Sequence, residues 1–147
     1  MTSLNRACRS LLNVARVARI GTVNRDGSVH MVPICFAFDG RRLFSTLRAG
    51  THRLTNLSRK SPVSVLIDRY EEKPGEWTVL QGVLLYCEST ILNYDHDRKS
   101  FMEGWRLLVE KYPQYRRWAK ADMKPTDPEK RRIIELLPTK VVSWGFD

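Results

Sequence analysis

Apolar positions in the first half of the chain alternate with small or polar ones, which is the period of a β-strand. The alternating runs cover residues 17–23, 29–38 and 43–46. Residues 24–27 and Asp39-Gly40 separate these runs as turns, and Gly27 can adopt the positive φ that a tight turn requires. We therefore predict three strands, joined by two tight turns, that form an antiparallel meander.

Pro33 lies inside the second of these runs. Proline cannot donate a hydrogen bond to a neighbouring strand. We therefore expect Pro33 at a sheet edge, at a bulge, or where something other than a strand faces the backbone.

Helical patterns occupy three segments, of which residues 4–14 show the weakest. Thr51 can cap a second helix that runs to about Lys60, where Ser61-Pro62 stops it. Between residues 95 and 112, four apolar residues at the helical spacing predict an amphipathic helix that Pro113 ends or kinks. These four residues are Phe101, Trp105, Leu108 and Tyr112.

The remaining apolar runs predict further strands. They cover residues 63–68, 78–92, 133–137 and 140–144, the last two as one strand or a strand pair. We expect an acidic loop at residues 71–76, a bend at Gly82, and a short helix followed by a loop at residues 114–130. The 147 residues fit one domain, residues 1–147. Six or seven antiparallel strands with helical additions predict a mainly β, α+β fold and a small barrel.

The excess positive charge is confined to one part of the chain. Residues 1–60 contain 11 Lys and Arg but only two acidic residues, whereas residues 61–147 contain 14 of each kind. Positive charge beside a helix that begins near Thr51 favours a phosphorylated ligand, because a helix start offers free N–H groups and a favourable dipole. A pI near 9.8 makes nucleic acid a partner to consider as well.

Other classes of protein find little support. The three cysteines are widely spaced, and the histidines lack metal-ligand spacing, so we predict neither a disulfide nor a metal site. No apolar run approaches the roughly 20 residues of a membrane-spanning helix. Arg6 and Arg9 lie where a secretory signal peptide would need an apolar core. We expect a cytoplasmic protein that does not interact with membranes.

The order of these motifs resembles the flavin-binding split barrels related to pyridoxamine 5'-phosphate oxidase. The resemblance is carried by the Asp26-Gly27 hairpin, Val32-Pro33-Ile34, residues 44–46, and residues 51–57 leading into residues 62–64. Residues 66–72, residues 111–115 and the tail with Trp144 make the chain most similar to the short, deazaflavin-dependent members. The resemblance implies a split β-barrel of the FMN-binding type.

The resemblance also implies a site for the cofactor phosphate. Arg53 stands at the position of a basic phosphate ligand, Thr51 would donate its hydroxyl and backbone amides, and Thr46 would meet the ribityl-phosphate part. His52 stands where many relatives have a second basic residue. From the residues alone, Arg53 could equally be a solvated helix residue.

For the flavin ring, the resemblance implies contacts with the backbone of Val32, Pro33 and Ile34. Gln81 is a further candidate for a hydrogen bond to the ring, although it could simply be exposed. Trp144 resembles an aromatic residue that packs near the flavin across a subunit interface, although a core or interface tryptophan would fit the sequence too.

The implied function is that of a homodimeric oxidoreductase that uses FMN or the deazaflavin F-420 and acts on an unidentified small molecule. True pyridoxamine phosphate oxidases end in an Arg-Leu-x-Pro type motif, which residues 141–147 lack, so we do not expect that activity. The alternative is a non-catalytic module that binds flavin, haem or nucleic acid. Phe36, Phe38 and Phe44 alternate as core residues do, which argues against nucleic acid. A haem would need an axial ligand, and His30, His52 and His96 are the candidates.

Overall fold

The structure is a computed structural model that describes residues 4–72, 75 and 79–146. Its strands are β1 (Ala18–Val23), β2 (Val29–Ile34), β3 (Ala37–Phe38), β4 (Leu43–Arg48), β5 (Val63–Glu71), β6 (Val79–Leu92) and β7 (Arg131–Trp144). Its α-helices are α1 (Arg6–Val14), α2 (His52–Ser58) and α3 (Arg98–Lys111), and short 3-10 helices cover Pro113–Trp118 and Pro128–Lys130. All strand pairs are antiparallel, in the order β2-β1-β5-β6-β7-β4-β3. The predicted α+β class is confirmed.

The connection between β2 and β3 closes this sheet into a barrel. The two strands stand at opposite ends of the strand order, yet only Cys35 and Phe36 separate them in the chain. Three residue steps span at most about 11 Å, so the sheet must curl until its edges approach each other. Phe36 is fully buried in the barrel interior.

The predicted meander is therefore wrong. Residues 29–38 form two strands instead of one, because the chain leaves β2 and crosses to the other edge at Cys35-Phe36. Among the described strands, β2 pairs only with β1, and β3 pairs with β4. Pro33 thus lies on an edge strand, the first of the three arrangements expected for it.

The long C-terminal run is a single strand, β7, and it contains a bulge. Tyr86 of β6 faces Lys140, whereas the next residue, Cys87, faces Pro138, so Thr139 is the extra residue. A bulge is one of the few places where a sheet tolerates proline. The predicted loop at residues 71–76 and the strand start at Thr78 fall mainly on residues 73–74 and 76–78, outside the described residues. Glu71 belongs to β5.

Two apolar layers hold the helices in place. The barrel interior includes Leu12 of α1 and Leu57 of α2, so these helices pack against the same core as the strands. The second layer lies between α3 and the outer side of β4 and β7, and it buries all four residues of the predicted helical stripe. That stripe is confirmed, although α3 begins at Arg98 instead of residue 95. None of the helices in the described ranges is long and apolar enough to cross a membrane.

Candidate functional site

The predicted phosphate corner lies where β4 leads into α2. Gly50 has a φ of 86°, which lets the chain turn sharply after the strand. Thr51 is the N-cap of α2, and its side chain accepts a hydrogen bond from the N–H of Leu54 at 3.4 Å. The predicted cap is confirmed, and it places Thr51, His52 and Arg53 on the first turn of the helix.

Arg53 is a half-buried cation with an unused donor. Its Nε is enclosed, and nothing in the described part of the chain accepts a hydrogen bond from it. Burial lowers the pKa of Arg53 from its ordinary value. An enclosed guanidinium donor without an acceptor is costly. A phosphate would relieve this cost through charge-assisted hydrogen bonds.

His52 is held by the turn between β1 and β2. Its Nε2 donates to Asn24 Oδ1 at 2.7 Å, and the His52 and His30 ring centroids are 4.8 Å apart. Asn24 Oδ1 also accepts from Asn56 Nδ2 at 2.8 Å. His52 therefore faces the β1–β2 turn, and the side chain that stands in place of a second basic residue already has a partner.

Thr46 and the β2 residues occupy the sheet near this corner. Thr46 is half-buried on β4, and its hydroxyl donates to the carbonyl of Arg132 at 3.3 Å. Val32 and Ile34 direct their side chains to the barrel core, whereas Pro33 is exposed. A ligand could therefore reach only the backbone edge of this strand and the ring of Pro33.

Gln81 is already engaged within the chain. Its Nε2 donates to the carbonyl of Gly145 at 2.8 Å, and its Oε1 accepts from Arg69 Nε. The amide therefore ties β5, β6 and the chain after β7 together.

Trp144 lies on β7 directly opposite Gly82. The indole covers this glycine so closely that a Cβ there would lie 2.2 Å from Trp144 Cζ2. Trp144 is nevertheless 38% exposed. Gly82, the expected bend of β6, leaves the space that the indole occupies. A glycine inside a strand can signal such a close approach.

Within one chain, Thr46 and the predicted residues of α2 lie far along the sheet from Gln81 and Trp144. Thr46 pairs with Ile133 on β7, and Trp144 lies eleven positions further along the same strand. At about 3.3 Å per residue, this separation is roughly 36 Å along the strand. Thr46 and the first turn of α2 thus form one group, and Gln81 and Trp144 form another.

Sequence reasoning missed the polar residues that support His52. Asn56 is 1% exposed, and its Nδ2 donates to Thr22 Oγ1 at 3.0 Å as well as to Asn24. The signal that could have revealed this network is a polar residue, Asn56, beside an apolar position of a helix, because a buried amide needs hydrogen-bond partners. Across the described residues, no group of three His, Cys, Asp or Glu side chains is arranged to hold a metal ion.

The sequence model of a family described as pyridoxamine 5'-phosphate oxidase matches residues 4–145. No curated protein matches the chain. Among solved structures, a conserved hypothetical protein from Mycobacterium tuberculosis is 20% identical, with a TM-score of 0.77 over 97% of this chain and 85% of its own.

Two further solved structures carry ligand names. The FAD and heme binding protein from Mycobacterium smegmatis is 17% identical, with a TM-score of 0.74 over 99% of this chain and 75% of its own. An FAD-binding protein from Mesorhizobium loti is 18% identical, with a TM-score of 0.66 over 97% and 95%. At these identities the likeness shows the fold, and it confirms the expected split barrel.

Proposed function

The chain belongs to the pyridoxamine 5'-phosphate oxidase family, and we propose that it is a flavin- or deazaflavin-dependent oxidoreductase that binds FMN or F-420 and acts on a small molecule. The observation that carries the proposal is the enclosed, unpartnered Nε of Arg53 beside the first turn of α2. Flavin-binding names among proteins of the same fold support it. When bound, such a cofactor supplies the hydride or electron transfer.

The predicted site residues would each contact a different part of the cofactor. Arg53 would pair with the phosphate, and Thr51 would add a hydroxyl and backbone N–H groups at the start of the helix. Thr46 would lie beside the part of the cofactor that joins phosphate and ring. The backbone edge of β2 at Val32, Pro33 and Ile34 would face the ring, because an edge strand leaves main-chain groups free.

A second copy of the chain would complete the site. Register places the large exposed apolar residues of β2, β5, β6 and β7 on one outer face of the sheet. The exposed apolar residues of this face are Val29, Met31, Tyr70, Leu80, Tyr86, Val142 and Trp144. An outer face that carries this many exposed apolar residues marks an interaction surface. We propose a homodimer in which Trp144 of one chain approaches the phosphate corner of the other.

The dimer has a direct test. Light scattering on the purified protein at micromolar concentration is expected to give twice the 17.1 kDa mass of one chain. Sedimentation velocity across a hundredfold range of concentration would check the result. A mass of one chain throughout that range would contradict the proposed homodimer and leave Trp144 without a role at the cofactor.

The cofactor site is tested by the variant Arg53→Ala. Losing one charge-assisted contact to a phosphate weakens binding by about tenfold. The cofactor-stripped protein would be titrated with FMN and with F-420 while tryptophan fluorescence is followed. Arg106→Ala is the matched control, because Arg106 is an exposed arginine on α3. An equal loss of affinity in both variants would point to net charge alone. If neither FMN nor F-420 binds the wild type, the proposal is overturned.

Haem binding without turnover is a second candidate, favoured by the heme-binding name of one solved relative. His30 is half-buried beside His52 and is the candidate axial ligand in this region. A visible spectrum of the protein mixed with hemin separates the two functions, because a shifted Soret band that is lost in His30→Ala would favour haem. Unchanged free-hemin absorbance would exclude this candidate.

A further inference from the structure

A cavity of about 350 Å³ lies between α2 and the β1–β2 turn. It is lined by Asn24, Arg25, Asp26, His52, Thr55, Asn56 and Arg59. His52, Thr55 and Asn56 of α2 and the C-cap residue Arg59 follow the helical spacing and share one face, whereas Arg53 lies outside this set. The Arg53 side chain therefore does not line the cavity, although the preceding residue, His52, does.

Polar contacts around the buried Asn56 hold the cationic wall of this cavity in place. Asn56 Oδ1 accepts a hydrogen bond from Arg59 Nη2 at 2.5 Å, and Arg59 Nη2 also donates to the carbonyl of Val23 at 3.2 Å. Asn56 itself is fixed by Thr22 and Asn24. An arginine anchored by a buried amide loses little freedom when it binds a ligand, which favours binding.

Arg59 retains free donors. Within the described residues it bonds only through Nη2, and a guanidinium has five N–H donors in all. Arg25 on the turn adds a second cation to the lining. The one acid there, Asp26, accepts hydrogen bonds from the N–H and hydroxyl of Ser28, which lower its pKa. The wall thus carries two arginines against one carboxylate, which favours an anion.

The position of the cavity suggests what that anion is joined to. Arg53 and His52 are consecutive residues on the first turn of α2, so a ligand with one phosphate at Arg53 would enter the cavity past His52. His52 and Thr55 add polar groups to this passage, and neither carries an acidic charge. A cofactor that ends at its first phosphate would leave the cavity empty.

From this arrangement we infer that the cavity binds a second anionic group of the cofactor, beyond the phosphate assigned to Arg53. The inference rests on the proposed function and deepens it, because it predicts preference for an extended cofactor over FMN. The second group would be the additional phosphate of FAD or the anionic tail of F-420. Both would present negatively charged oxygens to Arg59 and Arg25.

The test measures dissociation constants of FMN, FAD and F-420 for the wild type, Arg59→Gln and Arg25→Gln. We expect FAD or F-420 to bind about tenfold more tightly than FMN, and each substitution to reduce that preference by several-fold while FMN binding stays unchanged. Arg106→Gln on α3 is the control for net charge. The extended cofactor that binds more tightly than FMN identifies the source of the second anion: FAD would indicate a phosphate, and F-420 would indicate its anionic tail. Arg25→Gln keeps the test valid if Arg59→Gln unfolds α2, because among the described residues the Arg25 side chain makes no hydrogen bond.

Several outcomes would overturn the inference. FMN binding as tightly as both extended cofactors, with no effect of either substitution, would do so while the proposed function stands. Equal weakening of all three cofactors in Arg59→Gln and in Arg25→Gln would also do so, because a distal contact cannot affect FMN. Absence of binding by all three would instead overturn the proposed function itself.

Discussion

Replacing Trp105 by alanine is expected to destabilise the protein by about 3–5 kcal/mol, the usual cost of truncating a fully buried tryptophan. Trp105 is fully buried between α3 and the outer side of the barrel. Its Nε1 donates to the carbonyl of Met123 at 2.9 Å, and the Arg131 guanidinium lies 5.1 Å from its ring centroid. The substitution would open a cavity, orphan that carbonyl and expose one side of a buried arginine.

Urea unfolding followed by far-UV circular dichroism would measure this loss. Trp118→Ala is the matched control, because Trp118 also lies beside Arg131, at 5.2 Å, but is only partly buried. We expect the control to lose about 1 kcal/mol, and Trp105→Phe to fall between the two. A change of less than 1 kcal/mol in Trp105→Ala would mean that α3 does not depend on this side chain for its docking.

Trp105 also illustrates which parts of the fold the sequence predicts well. The apolar stripe that contains Trp105 repeats every three or four residues, so the spacing within this one segment is enough to predict the helix. The same holds for the turn at Gly27, whose φ of 87° is what the Asp-Gly sequence requires. Features determined within a few residues were therefore predicted, apart from small shifts at their ends.

The break between β2 and β3 could not be predicted in this way. Alternation continues through Cys35 and Phe36, so the local pattern favours one strand. Phe36 is buried in the barrel interior, but a buried phenylalanine is equally compatible with an uninterrupted strand. What breaks the strand is the closure of the sheet, which depends on strands up to a hundred residues away. A local period carries no information about which edge a strand joins.

The candidate site shows the same division. Thr51 as a cap follows from its place before Leu54, and the structure confirms it. The contacts of Asn56 with Thr22 and Asn24, by contrast, exist only because a helix meets a distant turn. The contact of Trp144 with Gly82 likewise joins positions far apart in the chain. Residue types suggested an anion site near α2, but only the folded chain shows the cavity beside it.

Replacing Lys111 by methionine is expected to stabilise the protein by about 1–2 kcal/mol at pH 7, because it removes a charge that is difficult to solvate. The side chain is only half-buried, so solvent screening keeps this gain below the value that the pKa shift alone would give. Lys111 ends α3, and its Nζ is enclosed with no hydrogen-bond partner in the described part of the chain. The ammonium lies 3.9 Å from the centroid of the Phe36 ring, which offsets part of the cost through a cation–π contact. Burial, and then the charge of Arg16, lower the pKa of Lys111 from 10.5 to about 8.

The direction of this pKa shift determines how the effect depends on pH. Between about pH 8 and pH 10.5 the unfolded chain holds a proton on Lys111 that the folded chain has released. The wild type therefore gains stability from this group as pH rises through that window, and below pH 8 the full cost is present. Methionine does not titrate, so the advantage of Lys111→Met should be largest at pH 7 and should shrink toward pH 10.5.

Urea unfolding at pH 7, 9 and 10.5 would measure this effect as the difference between the wild type and Lys111→Met. Taking the difference cancels the other groups that titrate in the same range, provided that they do not interact with Lys111. Lys120→Met, at an exposed position in the loop after Trp118, is the control and should change stability by less than about 0.5 kcal/mol at every pH. An advantage of Lys111→Met that stays constant from pH 7 to pH 10.5 would show that packing, and not the buried charge, is what the substitution changes.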